Sequence, residues 1–167
     1  MAEGSSVYAV KAALVTLLTA RAGLSGVSIS HQAPTKATDL KTTTGNFDAI
    51  WLGDADDSTN VVVFSGLPLR LDESYELDLM VQVLRPTTTG TQAVCDARAS
   101  VLLGEVFGLL SSNPTLGLAD GSGTPDFARC EAVPTGWRNV TGPLPGGTGF
   151  GSRFEVRLGV EAVLHLS

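Results

Sequence analysis

Lysine is scarce in this chain. Lys11, Lys36 and Lys41 are the only three in 167 residues, and the eight arginines are scattered. Acidic residues outnumber basic ones by 17 to 11, for a formal net charge of −6. A domain that grips duplex DNA needs a basic stripe for the phosphates, so tight nucleic-acid binding is excluded as its main role. Letting DNA pass without holding it is not excluded. Charge of either sign is also sparse, at 17% of residues, which is low for a surface that meets only water. Part of the surface is therefore expected to lie against another chain.

Other absences narrow the chemistry. Cysteine is limited to Cys95 and Cys130, and histidine to His31 and His165. Cys95 falls in a helical pattern and Cys130 in a strand pattern, so both read as small buried hydrophobes and not as a disulfide. Neither histidine has a cysteine, histidine or carboxylate at metal-ligand spacing, so no zinc site is expected. No G-x-S-x-G elbow or nucleophile–base pairing signature occurs. The reading is a non-enzyme with no catalytic residue, no metal and no cofactor. No apolar run reaches the roughly 18 residues of a membrane span, and the acidic start MAEGSSVYAV does not read as a signal peptide. The expectation is a soluble protein, intracellular where it is made, without a membrane partner.

The clearest positive signal closes the chain. In GSRFEVRLGVEAVLHLS, residues 151–167, apolar residues hold every second position from Phe154 to Leu166. Period-two alternation marks a strand with one face on a core. SYELDLMVQVLRP repeats it, with Tyr75, Leu77, Leu79, Val81 and Val83 on one face and Glu76, Asp78, Met80, Gln82 and Leu84 on the other. Shorter strands are expected at 27–30, 49–53 and 60–66, the last two separated by the polar turn DADDST, and again in ARCEAV and GWRNV.

Two segments have helical period. Residues 7–22 carry a stripe of Val7, Val10, Leu14, Leu17 and Leu18 ending at Arg21, with Ser5 and Ser6 as caps. TTTGTQ, residues 87–92, starts a second helix that runs to about Ser111, where Cys95, Ala99, Leu102, Val106 and Leu109 form the stripe, widened by Leu103 and Leu110. Residues 35–48 and 142–151 read as loops. The order predicts a single α+β domain over 1–167, with a mixed, largely antiparallel sheet and two main helices packed on one face.

Two tempting motifs fail. GDADDSTN has acids at alternate positions, but an EF-hand needs glycine sixth and a bidentate acid twelfth, and strands flank this loop. GGTGFGS has the glycine density of a phosphate cradle, but it leads into a strand and not a helix N-terminus. The charged faces of the two long strands remain. Glu76, Asp78, Arg153, Glu155, Arg157 and Glu161 form a mixed-sign ladder that either pairs across strands in solvent or meets another chain.

The segments VYAVKAALVTLLTARAGLSGVSISHQAP, AIWLGDAD and YELDLMVQVLRPTTTGTQAVCDARASVLLGEVFGLL resemble, in order and texture, the tail terminator proteins of long-tailed (siphovirus) phages, above all those of actinobacterial hosts. The resemblance spans most of the chain and rests on no catalytic motif. It implies a virion structural protein of the tail and neck, assembled in the bacterial host cytoplasm. Its copies would form a homo-hexameric ring that caps the tail tube, stops polymerisation of the major tail protein and meets a head-tail stopper or connector protein. Genomic DNA would pass through the lumen without specific binding. On this reading, Glu76, Asp78, Arg153, Glu155, Arg157 and Glu161 are candidates for the subunit interface or the lumen. A head-tail stopper or neck connector of the same machinery, and a small ligand-binding α+β domain, are the alternatives.

Overall fold

The computed structural model describes residues 5–34, 45–63, 69–118 and 126–166. Helix α1 spans Val7–Ala20 and is followed by a 3-10 turn, Ala22–Leu24. Strands β1 (Ser28–Ser30), β2 (Phe47–Val63) and β3 (Leu69–Pro86) come next. Helix α2 is Gln92–Ser112, and β4 (Asp126–Pro143) and β5 (Gly149–Leu166) complete the order. One five-stranded sheet results, in the order β1-β2-β3-β5-β4. Among the described residues only β1 pairs in parallel, against Ala49–Trp51 of β2, and every other pairing is antiparallel. The α+β expectation stands.

The alternation in the two long strands does what its period dictates. Leu77 faces Leu158, Leu79 faces Val156 and Val81 faces Phe154 across the β3–β5 pairing. All of these are buried, and Leu77, Leu79, Val81 and Leu158 have no exposed surface. Both helices pack on this one face. Val10, Leu14 and Leu18 of α1 join Cys95, Ala99, Leu102, Leu103, Val106, Leu109 and Leu110 of α2 in a single core. Each such large side chain removed from water stabilises the fold by roughly 1.5–3 kcal/mol before entropy is counted.

Four expectations need correction. The polar turn DADDST does not split β2. Backbone pairing runs on through it, with register shifts between Leu52 and Ala55 and between Asp56 and Thr59 that absorb the extra residues as bulges. Likewise ARCEAV and GWRNV are one strand, β4, with a shift between Pro134 and Gly136. Proline lacks the N–H for a ladder on both sides, but β4 is the last strand of the sheet, where that donor is not needed. The glycine-rich connection expected over 142–151 is shorter: β4 runs to Pro143, a 3-10 turn occupies Pro145–Gly147, and β5 begins at Gly149. Of the loop expected over 35–48, residues 35–44 lie outside the described residues, and Phe47 and Asp48 belong to β2.

Candidate assembly surface

The face of the sheet turned away from the helices gathers the charged alternation. In the β3–β5 register Glu76 lies opposite Gly159, Asp78 opposite Arg157, Met80 opposite Glu155 and Gln82 opposite Arg153. Glu161 continues the row, opposite Ser74. All six residues singled out from the sequence therefore share one face. The ladder closes largely on itself. Arg157 Nη1 lies 3.1 Å from Glu76 Oε2, and Arg153 Nη2 lies 2.7 Å from Glu155 Oε1.

β4 supplies cations that the sequence reading missed. Arg138 donates through Nε to Glu155 Oε2 at 2.9 Å. Arg129 reaches Glu131 at 3.1 Å and Glu161 at 3.4 Å. Their signal was present in the alternation of Arg129 and Glu131 with the buried Cys130 and Ala132. The prolines at 134 and 143 broke the pattern around Arg138.

Burial pulls the Glu155 carboxyl up, but the Arg138 hydrogen bond and the charges of Arg153 and Arg138 outweigh it and hold the group below the usual range. Asp78 goes the other way. Burial raises it, Arg157 opposes the rise, and Asp56, Asp54 and Glu155 add to it. Exposed pairs of this kind contribute about 0–1 kcal/mol each, so the ladder is not what holds the fold. It gives the face local charge neutrality.

At Gly159 strands β4 and β5 come close. A side chain at Gly159 would place its Cβ 2.8 Å from Thr135 Cγ2, where the β4 bulge leans over β5. Beside it, Asp78, Met80, Trp137, Arg138, Glu155 and Arg157 line an open groove of about 400 Å³. At the far end of the sheet the same face is apolar and covered: Ala49, Trp51 and Leu84 are buried. There Leu144, from the β4–β5 connection, comes down beside Gly151 together with Leu84.

Among the described residues no cluster of three or more histidines, cysteines or carboxylates is placed to hold a metal ion, and no helix is long and apolar enough to cross a membrane. His31 stacks on Tyr8, with ring centroids 6.1 Å apart. His165 lies 3.4 Å from Asp126. Cys95 and Cys130 are both buried and free, and Cys95 Sγ donates to the Phe150 carbonyl at 3.4 Å.

Exposed apolar side chains accompany the charges along β4. Val133, Trp137 and Val140 stand out along β4, where every residue from 133 to 141 is exposed. Trp137, 59% exposed, touches the sheet through an edge contact with Phe154. On the helical side the exposed apolar residues are Tyr8, Val94 and Val101. The charged groups of α2 are all engaged: Asp96 with Gln92, Arg98 with Asp48 and Glu105 with Arg21.

No protein-family model matches the chain, and a search of curated proteins finds no match. Among solved structures, the fold is similar to a chain from the virion of a native gene transfer agent particle. Identity is 13%, the alignment covers 98% of this chain and 100% of that one, and the TM-score is 0.47. An overlap of that size decides neither family nor role.

Proposed function

We propose that this chain is a virion structural protein of a phage-like particle, a tail terminator whose copies close into a hexameric ring on the finished tail tube. In that place it ends polymerisation of the major tail protein and presents a surface to the head-tail stopper or connector. The supporting observation is the helix-free face of the sheet. It is large and charged, yet Arg157 with Glu76 and Arg153 with Glu155 close its pairs within one subunit. A face satisfied in this way suits a pore lining, because it offers passing DNA phosphates no uncompensated cationic stripe. The residues Glu76, Asp78, Arg153, Glu155, Arg157 and Glu161 are then lumen residues ahead of joint residues. Work of this kind is mechanical and needs no cofactor.

Electron microscopy of intact particles carrying the tagged chain tests the reading. Sixfold density for it between tail tube and neck is the expected result. Density on the capsid side of a separate ring would make it the stopper instead. Particles without it at the junction would overturn both assignments.

A further inference from the structure

We infer that copies of this chain join edge to edge, the outer edge of β4 in one copy adding to the outer edge of β2 in the next. The occupant of each edge is thus a second copy, and the inference rests on the ring reading above. Among the described residues the strand order leaves β4 as the last strand on one side. On the other side β1 covers β2 only at residues 49–51. Just beyond, Lys11 Nζ closes the Gly53 carbonyl at 2.6 Å. From residue 54 to 63, β2 has β3 on one side and, among the described residues, no strand on the other. Such rows of unpaired N–H and C=O groups are templates for another strand unless they are blocked.

Charge says which edge meets which. Along β2 after residue 53 the chain carries acids and no cation. Asp54 and Asp56 are exposed there, followed by the exposed Val61 and Val62. Along β4 from 133 to 143 there is no acid. Its one cation, Arg138, pairs with Glu155 of its own β5 yet keeps a side chain 73% exposed, and Val133, Trp137 and Val140 lie near it along the strand. Two β2 edges together would place acids on acids, and two β4 edges would bring cation to cation. The unlike pair joins opposite charge and covers apolar surface on both sides. Pro134 lies at the β4 bulge and Pro143 at its end, so the stretch between them, of nearly the length of the free part of β2, keeps its outward donors. Unlike edges make a heterologous contact, which closes into a ring or runs on as a filament.

Hydrogen exchange on the full chain, dilute against assembled on tail tubes or at high concentration, reads the joint without assuming its register. Amides of 54–62 and 135–142 are expected to slow together by at least about tenfold on assembly. Two charge variants give a second reading. Arg138→Glu and Asp56→Arg should each lower the assembled fraction severalfold, and combining them should restore it, with circular dichroism unchanged throughout. Rings whose β2 and β4 amides exchange as in the monomer would overturn the edge joint and leave the ring reading standing. Protected edges in open filaments would keep the joint and sink the capping role. A chain that stays monomeric in every condition would overturn both.

Discussion

The Glu73 carboxylate, 4% exposed, accepts the backbone N–H of Ser6 at 2.7 Å, and Ser6 Oγ lies 3.0 Å from the Tyr75 hydroxyl. Ser6 is the N-cap of α1, and its own side chain makes no capping bond to the helix. A strand residue 67 positions away therefore supplies the acceptor that the helix start lacks, and its negative charge lies at the favourable end of the helix dipole.

Removing that acceptor leaves a buried N–H without a partner, which costs about 1–3 kcal/mol. Glu73→Ala is expected to lower the urea midpoint accordingly. Glu73→Gln, which keeps a carbonyl oxygen, should lose less. Equal losses in the two variants would show that charge, and not the hydrogen bond, secures the helix start.

The periodic parts of the fold were legible in the sequence. Every α2 stripe residue from Cys95 to Leu110 is buried, and the apolar sides of β3 and β5 form the core. Period is a local property, and burial on one face enforces it. Glu73 was not legible, because a carboxylate at a core-facing position reads as a lapse in the pattern until the helix start is seen above it. The bulges in β2 and β4 hid for a similar reason. A bulge keeps two strands paired while breaking the alternation, so polar and proline residues there imitate turns. Of the surface, the six ladder residues were legible as one face, but Arg129 and Arg138 needed the β4–β5 register.

Asp48 is a second anchor, lost at sequence level inside an expected loop. Its carboxylate receives Arg85 Nη1 at 2.6 Å and Arg98 Nε at 2.9 Å, tying β2, β3 and α2 together. The Arg85 side chain is 7% exposed and the Arg98 side chain 34%. Breaking a buried pair from one side costs about 3–5 kcal/mol, because the remaining charge is stranded. Asp48→Ala should therefore approach that loss in chemical denaturation, whereas Arg98→Ala should cost far less. Similar losses for the two would mean that Arg85 finds water once Asp48 is gone.

Leu158 tests the core itself. It faces Leu77, and neither has exposed surface. Leu158→Ala is expected to destabilise by about 2–5 kcal/mol, through lost transfer energy and the cavity left behind. A midpoint shift below that range would show that α2 settles into the gap.

Arg157 separates the open face from the edges. Its side chain is 64% exposed and its Glu76 partner 35%, so Arg157→Glu should change stability by no more than about 1 kcal/mol. If copies meet through β2 and β4, the variant should also assemble to the wild-type mass. A loss of assembly as large as that from Arg138→Glu would move the joint onto the open face.

Cys130 gives a pH-dependent readout of the same core. Burial, with a smaller contribution from the Glu131 charge, pushes its thiol up to about 11. The folded state thus holds this proton more tightly than the unfolded chain, whose thiol titrates near the ordinary value of about 8.5. The stabilisation is fully present below that value and is lost as pH rises through the folded one, so stability should fall between roughly pH 8.5 and 11. Cys130→Ser or Cys130→Ala should flatten that part of the profile. Alkylation of the native protein near pH 8 should leave Cys130 unmodified until denaturant is added, because the reactive thiolate is absent and the sulfur is buried. Rapid labelling in the native state would mean that β4 opens away from the sheet beneath α2.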